Sequence, residues 1–169
     1  MPVQCVNFCD DNCQEEYQDE TTRNCLHAVL KIKTKDGWKS IDSPFDPVQE
    51  ATEMIGTTGA DDSDYLVLGA GSGFVARELI NRNLKSCLMI TGASILAKRN
   101  KKIIYDTANG SKDFTIICSP AVSNEIFRMV HNFIESHPRA RIVVHNREIK
   151  AFPALFNPLL VYIESIRMP

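Results

Sequence analysis

From Leu26 onward, apolar and polar positions alternate in LHAVLKIK, break at Lys35-Asp36-Gly37 and resume in WKSI, which predicts a β-hairpin over residues 26–42. Asp46-Pro47 then predicts a helix start, because Asp can cap free N–H groups and proline is tolerated at the first helical position. That helix runs through VQEATEMI and stops near Gly56. YLVLG (65–69) reads as a buried strand, and Gly69-Ala70-Gly71-Ser72-Gly73 as a tight turn into the helix-like FVARELINR. SCLMI (86–90), DFTIIC (113–118) and RIVVH (141–145) are further apolar strands. Between them lie a short helix or turn at SILAKRN and a helix opened by Pro120, in which Ile126, Met129, Val130, Phe133 and Ile134 recur at helical spacing. A last helix from about Pro153 buries Leu155, Leu159, Ile163 and Ile166. Strands alternating with helices predict an α/β fold: a Rossmann-like, methyltransferase-like, mostly parallel sheet with helices on both faces, preceded by the hairpin. Right-handed crossovers then gather the loops at the strand C-termini on one rim.

Residues 1–24 break this pattern, being acidic, cysteine-bearing and poor in aliphatic side chains, and they read as a loosely docked arm on a single domain spanning 25–169. A hydrophobic fraction of 44% and a formal charge of −2 give no general attraction to nucleic acid or membrane, so neither partner is expected. No apolar run approaches the roughly 18 residues of a spanning helix, and MPVQCVNFCDD lacks the start of a secretory signal, so the expected compartment is the cytoplasm. Cys87 and Cys118 lie inside apolar runs and read as core thiols.

The glycine turn is the main chemical signal. Gly69, Gly71 and Gly73 put bare backbone N–H groups at a helix N-terminus, where a phosphate, carboxylate or ribose edge can come close. Dinucleotide-binding turns place their third glycine one residue later, and the spacing here looks more like the first motif of S-adenosylmethionine-dependent methyltransferases. Those enzymes carry a carboxylate before the first glycine and another after the second strand; this chain has Val67 and Ile90-Thr91-Gly92 instead. Asp106 is the next acid along and lies too far from the strand end. Each charge-assisted bond lost this way is worth about 1.5–3 kcal/mol. A methyltransferase therefore stays as the alternative reading, S-adenosylmethionine or a nucleotide is an unfavoured cofactor, and no residue is assigned a catalytic role. A ligand, if bound, is expected over Gly69, Gly71 and Gly73, with Thr91, Gly92 and Ser119 from neighbouring strand ends.

Ser43-Pro44-Phe45-Asp46-Pro47-Val48-Gln49-Glu50-Ala51, taken with the glycine turn, resembles the N-terminal Rossmann-like domain of the motility accessory factor family and of related spore-coat and flagellin glycosyltransferases. That family has a hairpin leading to S-x-x-D-P-x-x-E-A and then a strand ending in G-x-G-x-G. Ser43, Asp46, Pro47, Glu50, Ala51, Gly69, Gly71 and Gly73 stand at those positions. More faintly, RIVVHNREIKAFPALF resembles the family's strand followed by a proline-started helix. Members usually place Glu-Pro after the second strand, where this chain has Thr91-Gly92. Glycosyltransferase chemistry in the family belongs to a following domain. The resemblance thus implies a non-catalytic binding or assembly domain in a bacterial surface-glycan or motility setting, with a glycosyltransferase or another protein as partner.

Other signals are weaker. Cys5, Cys9 and Cys13 recur at intervals of four, as on one face of a helix, and Cys25 could add a fourth thiolate, but the gaps are one residue wider than metal-binding C-x-x-C pairs and no metal is expected. Of the histidines, His145 alone falls at a strand end on the glycine rim, which makes it the one candidate general base. Lys98-Arg99-Asn100-Lys101-Lys102 lacks the interleaved aromatics of single-strand nucleic-acid binders and reads as a solvated turn.

Overall fold

A computed structural model of the chain describes residues 3–9, 16–21, 28–56, 63–107 and 113–167. In chain order its elements are β1 (Val3–Asn7), β2 (Tyr17–Thr21), β3 (Ala28–Thr34), β4 (Gly37–Ser40), α1 (Pro47–Ile55), β5 (Asp64–Leu68), α2 (Phe74–Asn81), β6 (Ser86–Thr91), α3 (Ser94–Thr107), β7 (Asp113–Cys118), α4 (Asn124–Ser136), β8 (Arg141–Val144), α5 (Asn146–Ala151) and α6 (Pro153–Arg167). Five strands form an all-parallel sheet in the order β1-β7-β6-β5-β8, and β2-β3-β4 form a separate antiparallel sheet. The fold is therefore the α/β, Rossmann-like arrangement that the alternation predicts.

Side chains of successive strand residues point to opposite faces, and each face has its own core. Tyr65 and Val67 of β5 pack with Ala51 of α1, Val75 and Leu79 of α2 and Ile104 of α3. Leu66 and Leu68 face the other way, onto Ile126 and Val130 of α4 and Leu155 and Leu159 of α6. Burial on both faces explains why these strands read as continuous apolar runs. From β5 the chain moves outward to β6 and β7, then returns to place β8 on the opposite side of β5. The order thus reverses between β5 and β8, which is where open α/β sheets leave a crevice beyond their strand C-termini. Over that rim sits the small sheet: Leu30, Ile32 and Ile41 pack on Ala93, Leu96 and Ala151, which lie beyond the ends of β6 and β8.

Several elements differ from the sequence expectation. Part of the supposed arm is sheet: β1 lies parallel to β7 at the edge, with Val3 opposite Phe114 and Asn7 opposite Cys118, and β2 pairs with β3. Its aliphatic content is low because an edge strand has one neighbour and an exposed margin. SILAKRN begins a helix of 14 residues, longer than the short helix or turn expected, so the basic cluster lies along α3. The helix expected from Pro120 starts at Asn124, because the Ser123 hydroxyl accepts from the Ile126 N–H and caps it. A short helix, α5, intervenes between β8 and α6. Among the described residues, no helix is long and apolar enough to cross a membrane.

Candidate functional site

The S-x-x-D-P-x-x-E-A segment folds on itself. Ser43 Oγ accepts from the N–H groups of Phe45 and Asp46, both at 3.2 Å. Asp46 Oδ1 caps α1 by accepting from the Gln49 N–H at 3.0 Å, and Pro47 takes the first helical position. Glu50, in the first turn of α1, reaches back so that its Oε1 accepts from the Ser43 N–H at 2.8 Å. These bonds fix the corner between the hairpin and α1, and in doing so they hold Asp42 against the glycine turn.

Asp42 is buried, and its Oδ2 accepts from the Ser72 N–H at 3.1 Å. Its Oδ1 lies 3.3 Å from His145 Nε2. His145 caps α5: its Nδ1 accepts from the Glu148 N–H at 3.4 Å, which assigns the proton of the neutral ring to Nε2, facing Asp42. Glu148 then turns its side chain into the crevice between β5 and β8. Its Oε1 accepts from the Gly71 N–H at 2.8 Å and its Oε2 from the Gly92 N–H at 3.2 Å. A carboxylate of the chain itself thus bridges the backbone donors of the glycine turn and of the β6 end.

The glycines are needed for these contacts. A Cβ on Gly71, whose φ is +60°, would stand 2.5 Å from Asp42 Oδ1 and 2.7 Å from His145 Nε2. One on Gly69 would stand 2.8 Å from His145 Cβ, and one on Gly92 would stand 2.3 Å from the Phe152 ring. Asn100 holds the turn from α3, its Nδ2 donating to the Gly71 carbonyl at 2.8 Å and to the Leu96 carbonyl at 2.9 Å. The space a ligand would take over Gly69, Gly71 and Gly92 is filled by His145, Glu148, Asp42 and Phe152.

Glu148 and His145 are both wholly buried. Burial raises the Glu148 carboxyl above the ordinary range, against the opposing pull of His145 and the Gly71 and Gly92 N–H groups. For His145 burial pushes the other way. The bond to Asp42 and the negative charges of Asp42, Glu148 and Glu50 outweigh it and hold the imidazole above its ordinary value. Arg147 completes the network at the surface, with its Nε 2.6 Å from Glu50 Oε2.

Asp42, Glu50 and His145 are of metal-ligand type, and one ligand atom from each lies within 4.8 Å of the others. Their bonds already engage those atoms: Asp42 holds the Ser72 N–H, Glu50 holds Ser43 and Arg147, and His145 Nε2 faces Asp42 as a donor. A cation at His145 Nε2 would displace its bond to Asp42 and move the imidazole proton to Nδ1, against the Glu148 N–H. The arrangement therefore suits a charge-balanced internal latch better than a metal centre.

Of the sequence-predicted site residues, Gly69, Gly71 and Gly92 meet around this latch, and Thr91 is buried at the end of β6. Gly73 lies to the other side, where a Cβ would strike Ile103 of α3. Ser119 is turned into its own loop, donating to the Ala121 carbonyl at 2.5 Å. Cys5 is exposed on a strand, not on a helix face, while Cys9 lies with its Sγ 2.9 Å from Cys118 Sγ. Cys13 and Cys25 lie outside the described residues. The sequence reading passed over Asp42 and Glu148. Glu148 stands three residues after a helix-capping position, the spacing of a capping box, and that was the available cue.

No protein-family model matches the chain, and no curated protein matches it either.

Proposed function

We propose that this chain is a non-catalytic Rossmann-like binding or assembly module, in which the glycine turn serves as a structural joint. The reading rests on one observation: Glu148 accepts from both the Gly71 and the Gly92 N–H groups, the donors that would otherwise meet a ligand at the crevice. A methyl donor or dinucleotide would have to expel a buried carboxylate and the His145 cap together, leaving the Glu148 N–H without its acceptor. The setting expected from the S-x-x-D-P-x-x-E-A and G-x-G-x-G resemblance, an accessory domain working beside a bacterial surface-glycan or flagellin glycosyltransferase, is compatible with such a module and is part of the proposal.

Calorimetry with S-adenosylhomocysteine, NAD and CMP tests it. The expected result is no heat of binding with any of the three. Micromolar binding of S-adenosylhomocysteine would overturn the proposal in favour of a divergent methyltransferase.

A further inference from the structure

The outer side of the same turn is built differently. Between α2 and α3 runs a groove of about 530 Å³, bordered by Ser72, Phe74 and Arg77 on one side and by Arg99, Lys102 and Asp106 on the other. That volume falls within the roughly 300–1,000 Å³ of small-molecule sites. We propose that this groove binds the phosphate or diphosphate group of a hydroxylated small molecule, such as a sugar phosphate or a nucleoside diphosphate.

Three features converge there. The first is charge, since Arg77, Arg99 and Lys102 border the groove together with a single carboxylate, Asp106. Arg99 is steadied by Asp19 of β2 at 2.7 Å, while Arg77 and Lys102 make no ion pair among the described residues. The second is the start of α2, whose positive end borders the groove and whose capping residue, Gly73, supplies no side-chain acceptor. The third is Ser72, only 6% exposed, whose hydroxyl has no hydrogen-bond partner among the described residues and which borders this groove. A buried hydroxyl left unpaired is unfavourable, and a phosphate oxygen is an acceptor that would relieve it.

The donor set selects the ligand class. Arginine forks, a lysine point charge, a hydroxyl and a helix start together satisfy several oxygens on one centre, which a phosphate offers and a single carboxylate does not. Asp106, on the turn of α3 beyond Lys102, cannot accept from a phosphate. It can accept from a hydroxyl, and this is why the phosphate should be carried on a hydroxylated body. The inner latch need not open for such a ligand, so this site stands apart from the proposed function of the crevice.

Backbone amide chemical shifts, followed by NMR during titration of the intact chain with inorganic pyrophosphate and with UDP, test the assignment. Saturable shifts are expected at residues 72–77 and 99–106. In an Arg77→Ala, Lys102→Ala double variant, at two exposed positions, the affinity for both probes should fall at least tenfold. Asp106→Asn should weaken UDP while leaving pyrophosphate as tight or tighter. A second basic groove, bordered by Lys33, Lys35 and Lys150, is the internal control. Equal shifts there, no saturation, or an unchanged affinity in the double variant would overturn the proposal. Shifts concentrated instead at Gly69 and Gly92 would count against the closed crevice and not for this groove.

Discussion

On its inner side the glycine turn meets Asp42, His145 and Glu148, all buried and bonded to one another or to the turn. On its outer side it meets Arg77 and Lys102, both exposed. The backbone is the same; the acceptors differ. Inside, the donors of Gly71, Ser72 and Gly92 are satisfied by carboxylates of the chain, and the glycines exist so that those carboxylates can approach. Outside, cations and the start of α2 border a groove. A glycine-rich turn therefore marks where backbone donors are bare, and the neighbouring side chains decide whether the chain or a ligand answers them.

The largest effect should come from removing the inner acceptor. Glu148→Ala leaves the Gly71 and Gly92 N–H groups buried without partners, at a cost of about 3–5 kcal/mol. Denaturant unfolding measures it. A loss below about 1 kcal/mol would mean that water reaches these donors and that the crevice is open. Glu148→Gln keeps one acceptor oxygen and should cost less.

Gly71→Ala comes next. The new methyl would meet Asp42 and His145 at a positive φ, combining backbone strain with overpacking, for about 2–4 kcal/mol. A near-neutral result would show that the latch has room to shift, and the contrast between the two sides of the turn would weaken.

Much of this contrast was hidden from the sequence for physical reasons. The strands β5 to β8 announced themselves as apolar runs, and β5 is continuously apolar because it is buried on both faces, as in Leu66-Val67-Leu68. The S-x-x-D-P-x-x-E-A corner was equally legible, since its bonds run between residues at most seven apart. The latch was not, because Glu148 and Gly71 are 77 positions apart and Asp42 and His145 are 103 apart. No periodicity reports that kind of pairing. β1 was missed for the same reason, as its partner β7 lies more than a hundred residues away. The length of α3 was obscured by Asn100, a polar residue on the buried face, kept there by its bonds to Gly71 and Leu96.

The two sides should also separate by pH. Both Glu148 and His145 have folded-state values above their ordinary ones, so the folded chain holds these protons more tightly than the unfolded chain does. Stability is then favoured at low pH and declines as pH rises past about 4.5 for Glu148 and past about 6.5 for His145. Thermal unfolding between pH 5 and 8.5 should show this decline. In Asp42→Asn, which removes the main group holding the His145 proton, the upper part of the decline should move to lower pH. The neighbouring charges, Glu50 and its partner Arg147, remain in that variant. An unchanged profile would mean that His145 is not governed by Asp42.

The smallest effect is expected at the mouth of the latch. Arg147 bonds Glu50 closely, but its side chain is 42% exposed, and water screens the pair and competes for both groups. Arg147→Ala should therefore cost no more than about 0.5 kcal/mol. Glu50 keeps its second role, accepting from the Ser43 N–H, so the corner that holds Asp42 survives without the arginine. A loss several times larger would place Arg147 among the groups that balance the buried carboxylates. The inner side would then be a network that extends to the surface, open to control from outside by salt or by a partner's charge.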